Sequence, residues 1–186
     1  MPRLLGLQAG SFFLSLWCCL ASVAADVVPV ATADSSPAVE GQPGQSYGPG
    51  TRLLIPQGRA SFVIPAGWQA QRPDDSETIV AVSDSGAGFI MVFMLLHMTE
   101  EQLTELLAEP QPLTHDLVFE PTGTVAKKGN RLTASYESGS LSGRALAVMG
   151  PDQAVLFFLG SPHTDSGHAD RVLDELADST EFPAPQ

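Results

Sequence analysis

The chain has 186 residues, 44% hydrophobic and 16% charged, a balance that suits one folded domain with appendages and excludes global disorder. Nine Lys and Arg stand against 21 Asp and Glu, a formal net charge of −12. A field of that sign repels nucleic acid and anionic membrane surfaces.

Residues 1–25 read as a cleavable signal peptide. Arg3 supplies the positive end, the apolar run from Ser11 to Leu20 the core, and Ala21-Ser22-Val23-Ala24-Ala25 a small-residue cleavage site, with the cut after Ala25. A retained anchor is the weaker reading, because a span needs about 20 apolar residues and this run is shorter. Trp17 beside Cys18 and Cys19 disfavours lipid attachment at either cysteine. With the leader removed, no cysteine remains, so disulfides, thiolate catalysis and cysteine metal ligands are excluded. Lysine occurs only as Lys127 and Lys128 and asparagine only as Asn130, which points to a GC-rich bacterial genome. The expected address is periplasmic or secreted, with no stable membrane anchor after cleavage.

Residues 26–50 mix Pro29, Pro37, Pro43 and Pro49 with Gly41, Gly44, Gly48 and Gly50 and show no apolar period. They are expected to form a flexible linker. The folded domain is placed at 51–183.

Strand signals begin at Arg52–Pro56 and recur at Ser61–Pro65, Trp68–Ala70 and Glu77–Val82, separated by turns. Phe89–Leu96 is a continuous apolar run and is expected to be a central strand buried on both faces. Thr99 followed by Gln102 forms a capping box, Glu100 and Glu101 suit the helix N-terminus, and Pro110 and Pro112 end the helix. Extended segments are expected at Asp116–Glu120 and Gly123–Ala126, then a turn over Lys127-Lys128-Gly129-Asn130. Arg131–Glu137 alternates, with Leu132, Ala134 and Tyr136 inward. Ser138-Gly139 marks a hairpin, Ser142–Met149 the return strand, and Ala154–Leu159 a second fully buried strand. Asp165–Ser179 is an amphipathic helix with Ala169, Val172, Leu173 and Leu176 on its core face, and Phe182 is expected to pin the tail. The fold class is α+β, a mostly antiparallel β-sheet with two helices packed on it.

Phe62-Val63-Ile64-Pro65-Ala66-Gly67-Trp68, with Gly129-Asn130-Arg131, the small-residue hairpin and the C-terminal helix, resembles the PsbP-like α/β sandwich superfamily. That group holds Ran-binding import proteins, thylakoid photosystem subunits and bacterial proteins. The resemblance spans about Leu53 to Phe182. It implies an antiparallel sheet with flanking helices and a non-enzymatic accessory or binding role, and it carries over no site residue.

Signatures of chemistry are sparse. Gly139-Ser140-Leu141-Ser142-Gly143 places Leu141 where a nucleophile elbow needs serine, and the chain has no Walker A or G-x-G-x-x-G loop. No cofactor is called for. Arg131 and Arg144, on neighbouring strands, are candidates to frame an anion site, against ordinary pairing with acids such as Glu137. Trp68 is a further binding candidate, with a packing role at the sheet edge as the plainer reading. His163, Asp165 and His168 could form a loop metal site, though the spacing of five between the histidines does not put them on one helix face.

The leading expectation is therefore an exported non-catalytic protein whose partner is another periplasmic or envelope protein. The runner-up is a small secreted hydrolase built on His163, Asp165 and His168. A third reading is an apolar-ligand carrier whose cavity is lined by Phe89, Met91, Phe93 and Met94.

Overall fold

A computed structural model describes residues 37–57, 60–86, 88–114, 116–163 and 166–182. The expected leader and the first part of the expected linker lie outside them.

The second part of that linker is not a tether. Val39–Glu40 (β1) runs parallel to Arg52–Leu54 (β3), and Ser46–Tyr47 (β2) runs antiparallel to Trp68–Gln71 (β5). Tyr47 is buried, its hydroxyl accepting from the Gln42 backbone N–H (2.8 Å) and donating to the Glu40 carbonyl (3.2 Å). The boundary thus moves upstream of residue 50. Two-residue strands carry no period, so only their long-range pairing reveals them.

The remaining elements follow the sequence pattern closely. β4 is Ser61–Val63, β6 Ile79–Ser83 and β7 Phe89–Leu96. Helix α1 covers Glu100–Ala108, and both bonds of the Thr99–Gln102 capping box are present. Gln111–Pro112 (β8), Val118–Pro121 (β9), Ala126–Lys128 (β10) and Arg131–Ser138 (β11) come next. The two lysines expected in a turn belong to β10, and the turn narrows to Gly129-Asn130, with Gly129 at φ +62°. Leu141–Met149 is β12, and Gln153–Pro162 is β13. Ser138 pairs with Leu141, so the hairpin turns on Gly139-Ser140. Helix α2 is Ser166–Ser179.

The main sheet has the order β2-β5-β6-β7-β13-β12-β11-β9-β8, with β10 also on β11, and its pairings are antiparallel. β1, β3 and β4 form a small second sheet. Helix α2 packs on β12, β13 and β4, and Phe62 of β4 meets Phe157 of β13 edge-on at 5.6 Å. One face of the main sheet is therefore covered by α2 and the small sheet together. Their shared core holds Trp68, Ile79, Ile90, Phe157, Leu159, Val172 and Leu176.

Helix α1 lies on the opposite face, against β11 and β12. Leu103 and Leu107 pack there with Phe119, Leu132, Tyr136 and Phe158. Phe182 packs against the α2-side core, with its ring over the Cα of Gly150, and so pins the tail. No helix among the described residues is long and apolar enough to cross a membrane.

Candidate functional site

Each face of the sheet presents one surface feature, and both follow from which strands the helices leave uncovered.

On the α2 side, β11 extends past the helix. Arg131 and Thr133 and Ser135 of β11 stand opposite Val148, Leu146 and Arg144 of β12, so both arginines share this face. Between these strands and α2 opens a cleft of about 230 Å³, lined by Thr133, Ser135, Arg144, Leu146, Asp170 and Asp174 among others. The Arg144 guanidinium donates from Nη1 to Ser135 Oγ, and its Nε lies 3.4 Å from Asp170 Oδ1. Arg131 Nη2 donates to Asp178 Oδ1 at 2.6 Å, and its Nη1 is 3.9 Å from Asp174. Asp170, Asp174 and Asp178 recur every four residues and so form one stripe along α2. The arginines expected to frame an anion site thus stand beside three carboxylates. Their acidic partners come from α2 and not from Glu137.

Trp68 is 2% exposed and cannot present its ring to a ligand. Its ring lies 3.4 Å from where a Cβ on Gly88 would sit, with His168 and Ser161 beside it around a small pocket. It serves as the packing anchor of the β5 edge. His163 Nε2 donates to the Gly139 carbonyl at 3.1 Å, beside the β11–β12 hairpin, whereas His168 lies against the Trp68 pocket. Asp165 lies outside the described residues. Among the described residues, no three His, Cys, Asp or Glu side chains gather where a metal ion could sit.

On the α1 side the cover thins from β11, β12 and β13 towards β7 and β6. Phe89, Met91, Phe93 and Leu95 of β7 point to this face, with Val80 and Val82 of β6 opposite Met91 and Phe89. Phe89, Met91, Phe93 and Leu95 are partly exposed, and Val82 is 37% exposed. β7 is central, as expected, but its burial is uneven: Ile90 and Val92 are buried on the α2 side while the alternate positions are only partly buried. The strand pleat also divides the four residues expected to line a ligand cavity. Met94 packs into the α2-side core, and Phe89, Met91 and Phe93 face the other way.

No family model and no curated protein sequence matches the chain. Solved structures do. The solution structure of cyanobacterial PsbP from Synechocystis superposes with a TM-score of 0.51 at 12% identity, covering 75% of this chain and 92% of that one. The chain has the PsbP-like fold. The yeast Ran-binding protein Mog1p (Saccharomyces cerevisiae) matches with a TM-score of 0.43 at 14% identity, covering 71% of this chain and 94% of that one. LpqN, a Mycobacterium tuberculosis protein involved in cell envelope biogenesis, matches with a TM-score of 0.40 at 13% identity, covering 75% of this chain and 91% of that one. The PsbP-like fold accounts for the sheet with its flanking helices. The cleft and the open face rest on this chain's own side chains. The open face was not picked out as a surface from sequence, because an all-apolar strand reads the same whether one flank or both are covered.

Proposed function

We propose that this chain is an exported, periplasmic accessory protein that performs no catalysis and binds another protein with the open face of its sheet. The observation that carries this reading is the row Phe89, Met91, Phe93 and Leu95, joined by Val80 and Val82 and left partly in water at the margin of the core that α1 forms with β11, β12 and β13. Single exposed apolar residues are ordinary, but a contiguous row on a central strand is a surface that association would bury. Met91 adds a flexible, polarisable contact that adapts to a partner. The signal-like residues 1–25 support export. Given the net charge of −12, a partner with a basic rim around an apolar centre fits best.

Site-directed photo-crosslinking in living cells tests the binding face. A crosslinker at Met91 should trap one recurrent protein, and a crosslinker at exposed Glu137 on the other face should not. Phe93→Asp should abolish the adduct while leaving the circular dichroism spectrum unchanged. Equal trapping from both positions, or none from Met91, sinks the binding face. Mass spectrometry of the cellular protein tests export: a periplasmic species beginning at Asp26 supports it, and a cytosolic species still beginning at Met1 refutes it.

A further inference from the structure

We propose that the cleft between β11, β12 and α2 binds a small zwitterion of the free α-amino acid class, with its carboxylate on Arg144 and its ammonium group on Asp174. This site lies on the opposite side of the sheet from the protein-binding face and stands independently of it.

The unused hydrogen-bonding capacity of the cleft is of both signs. Arg144 commits Nη1 to Ser135 and sets Nε near Asp170, while its Nη2 has no partner among the described residues. Three of its five N–H donors therefore remain, one on Nη1 and two on Nη2, and one from each nitrogen makes a planar fork suited to carboxylate. Among the described residues Asp174 meets only Arg131, at 3.9 Å, the outer limit of an ion pair, and its side chain is 71% exposed. Asp170 and Asp174 are four residues apart on α2, a rise of about 6 Å, and Asp170 touches Arg144. A ligand with adjacent charges can therefore reach from the guanidinium to the second carboxylate.

Charge balance selects against simpler ligands. Two guanidiniums face three carboxylates on a chain of net charge −12, so a bare anion is repelled. A bare cation would engage the carboxylates but leave the free donors of Arg144 unused. A zwitterion satisfies both ends. The cleft, about 230 Å³ and open to solvent, is smaller than the sites that take drug-sized molecules, which confines it to a small ligand. Leu146 and Leu173 give it an apolar wall, and Thr133 and Ser135 add hydroxyls, which favours an amino acid with an aliphatic side chain.

The test is an amide-resolved NMR titration of the purified protein with L-leucine. Two controls each lack one charge: leucinamide has no carboxylate, and 4-methylpentanoate has no ammonium group. Leucine should give saturable shifts at Thr133, Ser135, Arg144 and Asp170, and each control should bind at least about tenfold more weakly. Asp174→Asn, on the exposed side of α2, should weaken leucine binding about tenfold without disturbing the fold. Arg144→Gln should do the same, and Asp174→Asn decides the matter if Arg144→Gln loosens the sheet. Absence of saturation up to about 10 mM leucine, equal binding by either control, or undiminished binding to Asp174→Asn overturns the assignment.

Discussion

The hydroxyl of Tyr136 on β11 donates to the carbonyl of Leu107 at 2.6 Å, which ties the last turn of α1 to the sheet beneath it. Leu107 sits where helix carbonyls have lost their intrahelical partners, so this buried bond satisfies a group that would otherwise be orphaned. Tyr136→Phe removes the donor and leaves that carbonyl unpaired, at a cost of about 1–3 kcal/mol. Urea unfolding at neutral pH measures it, and an unchanged midpoint would refute it.

The same tyrosine predicts a pH dependence. Burial pushes its pKa up to about 12, with Gln111 partly opposing the shift. The folded value lies above the unfolded one near 10, so the neutral hydroxyl contributes its full stability below pH 10. That contribution is lost as pH rises from 10 towards 12, and amounts to about 3 kcal/mol for a shift of this size. Native protein should lose stability through this window more steeply than Tyr136→Phe does. Parallel stability curves would show that Tyr136 is not the group responsible.

Two strand glycines should differ in their tolerance of a methyl group. A Cβ on Gly143 would sit 2.7 Å from Phe119 and 2.9 Å from Phe158, rings locked edge-on to each other in the core. A Cβ on Gly160 would sit 2.4 Å from Phe89, which is partly exposed on the open face and can swing aside. Gly143→Ala should therefore cost about 1–3 kcal/mol through overpacking, and Gly160→Ala less, despite its shorter clash. Thermal melts of the two variants give the ranking, and the reverse order would contradict it.

Thr99→Ala removes the side-chain acceptor from the start of α1 and with it half of the capping box. The expected cost is about 1 kcal/mol, with amide exchange rising first at Gln102 and Leu103. Exchange unchanged at those two amides would argue that the cap does not hold the helix end.

Tyr47→Phe should loosen the stretch from Val39 to Tyr47 while the rest of the sheet stays protected, since both Tyr47 hydroxyl bonds lie within that stretch. Hydrogen exchange resolved by residue would reveal it. Uniform protection would mean that the pairings with β3 and β5 suffice on their own.

The strands and helices were legible because their signals are local. Alternation marked Leu132, Ala134 and Tyr136 as inward, Thr99 and Gln102 announced α1, and the leucine stripe of α2 announced its core face. The candidate site was legible only in outline. Arg131 and Arg144 could be placed on neighbouring strands, but their partners on α2 lie 26 or more positions away in sequence and depend on how the helix docks.

Residue pattern alone determined the fold class, the central position of β7 and the acidity of the chain, because periodicity, turn chemistry and charge are properties of short stretches or of composition. Tertiary structure alone decided that β1 and β2 belong to the folded unit, that Trp68 is hidden, and that the α1-side row of β7 is left partly exposed. Each of these depends on contacts between distant segments, and neither a two-residue strand nor an all-apolar run encodes which neighbour will cover it.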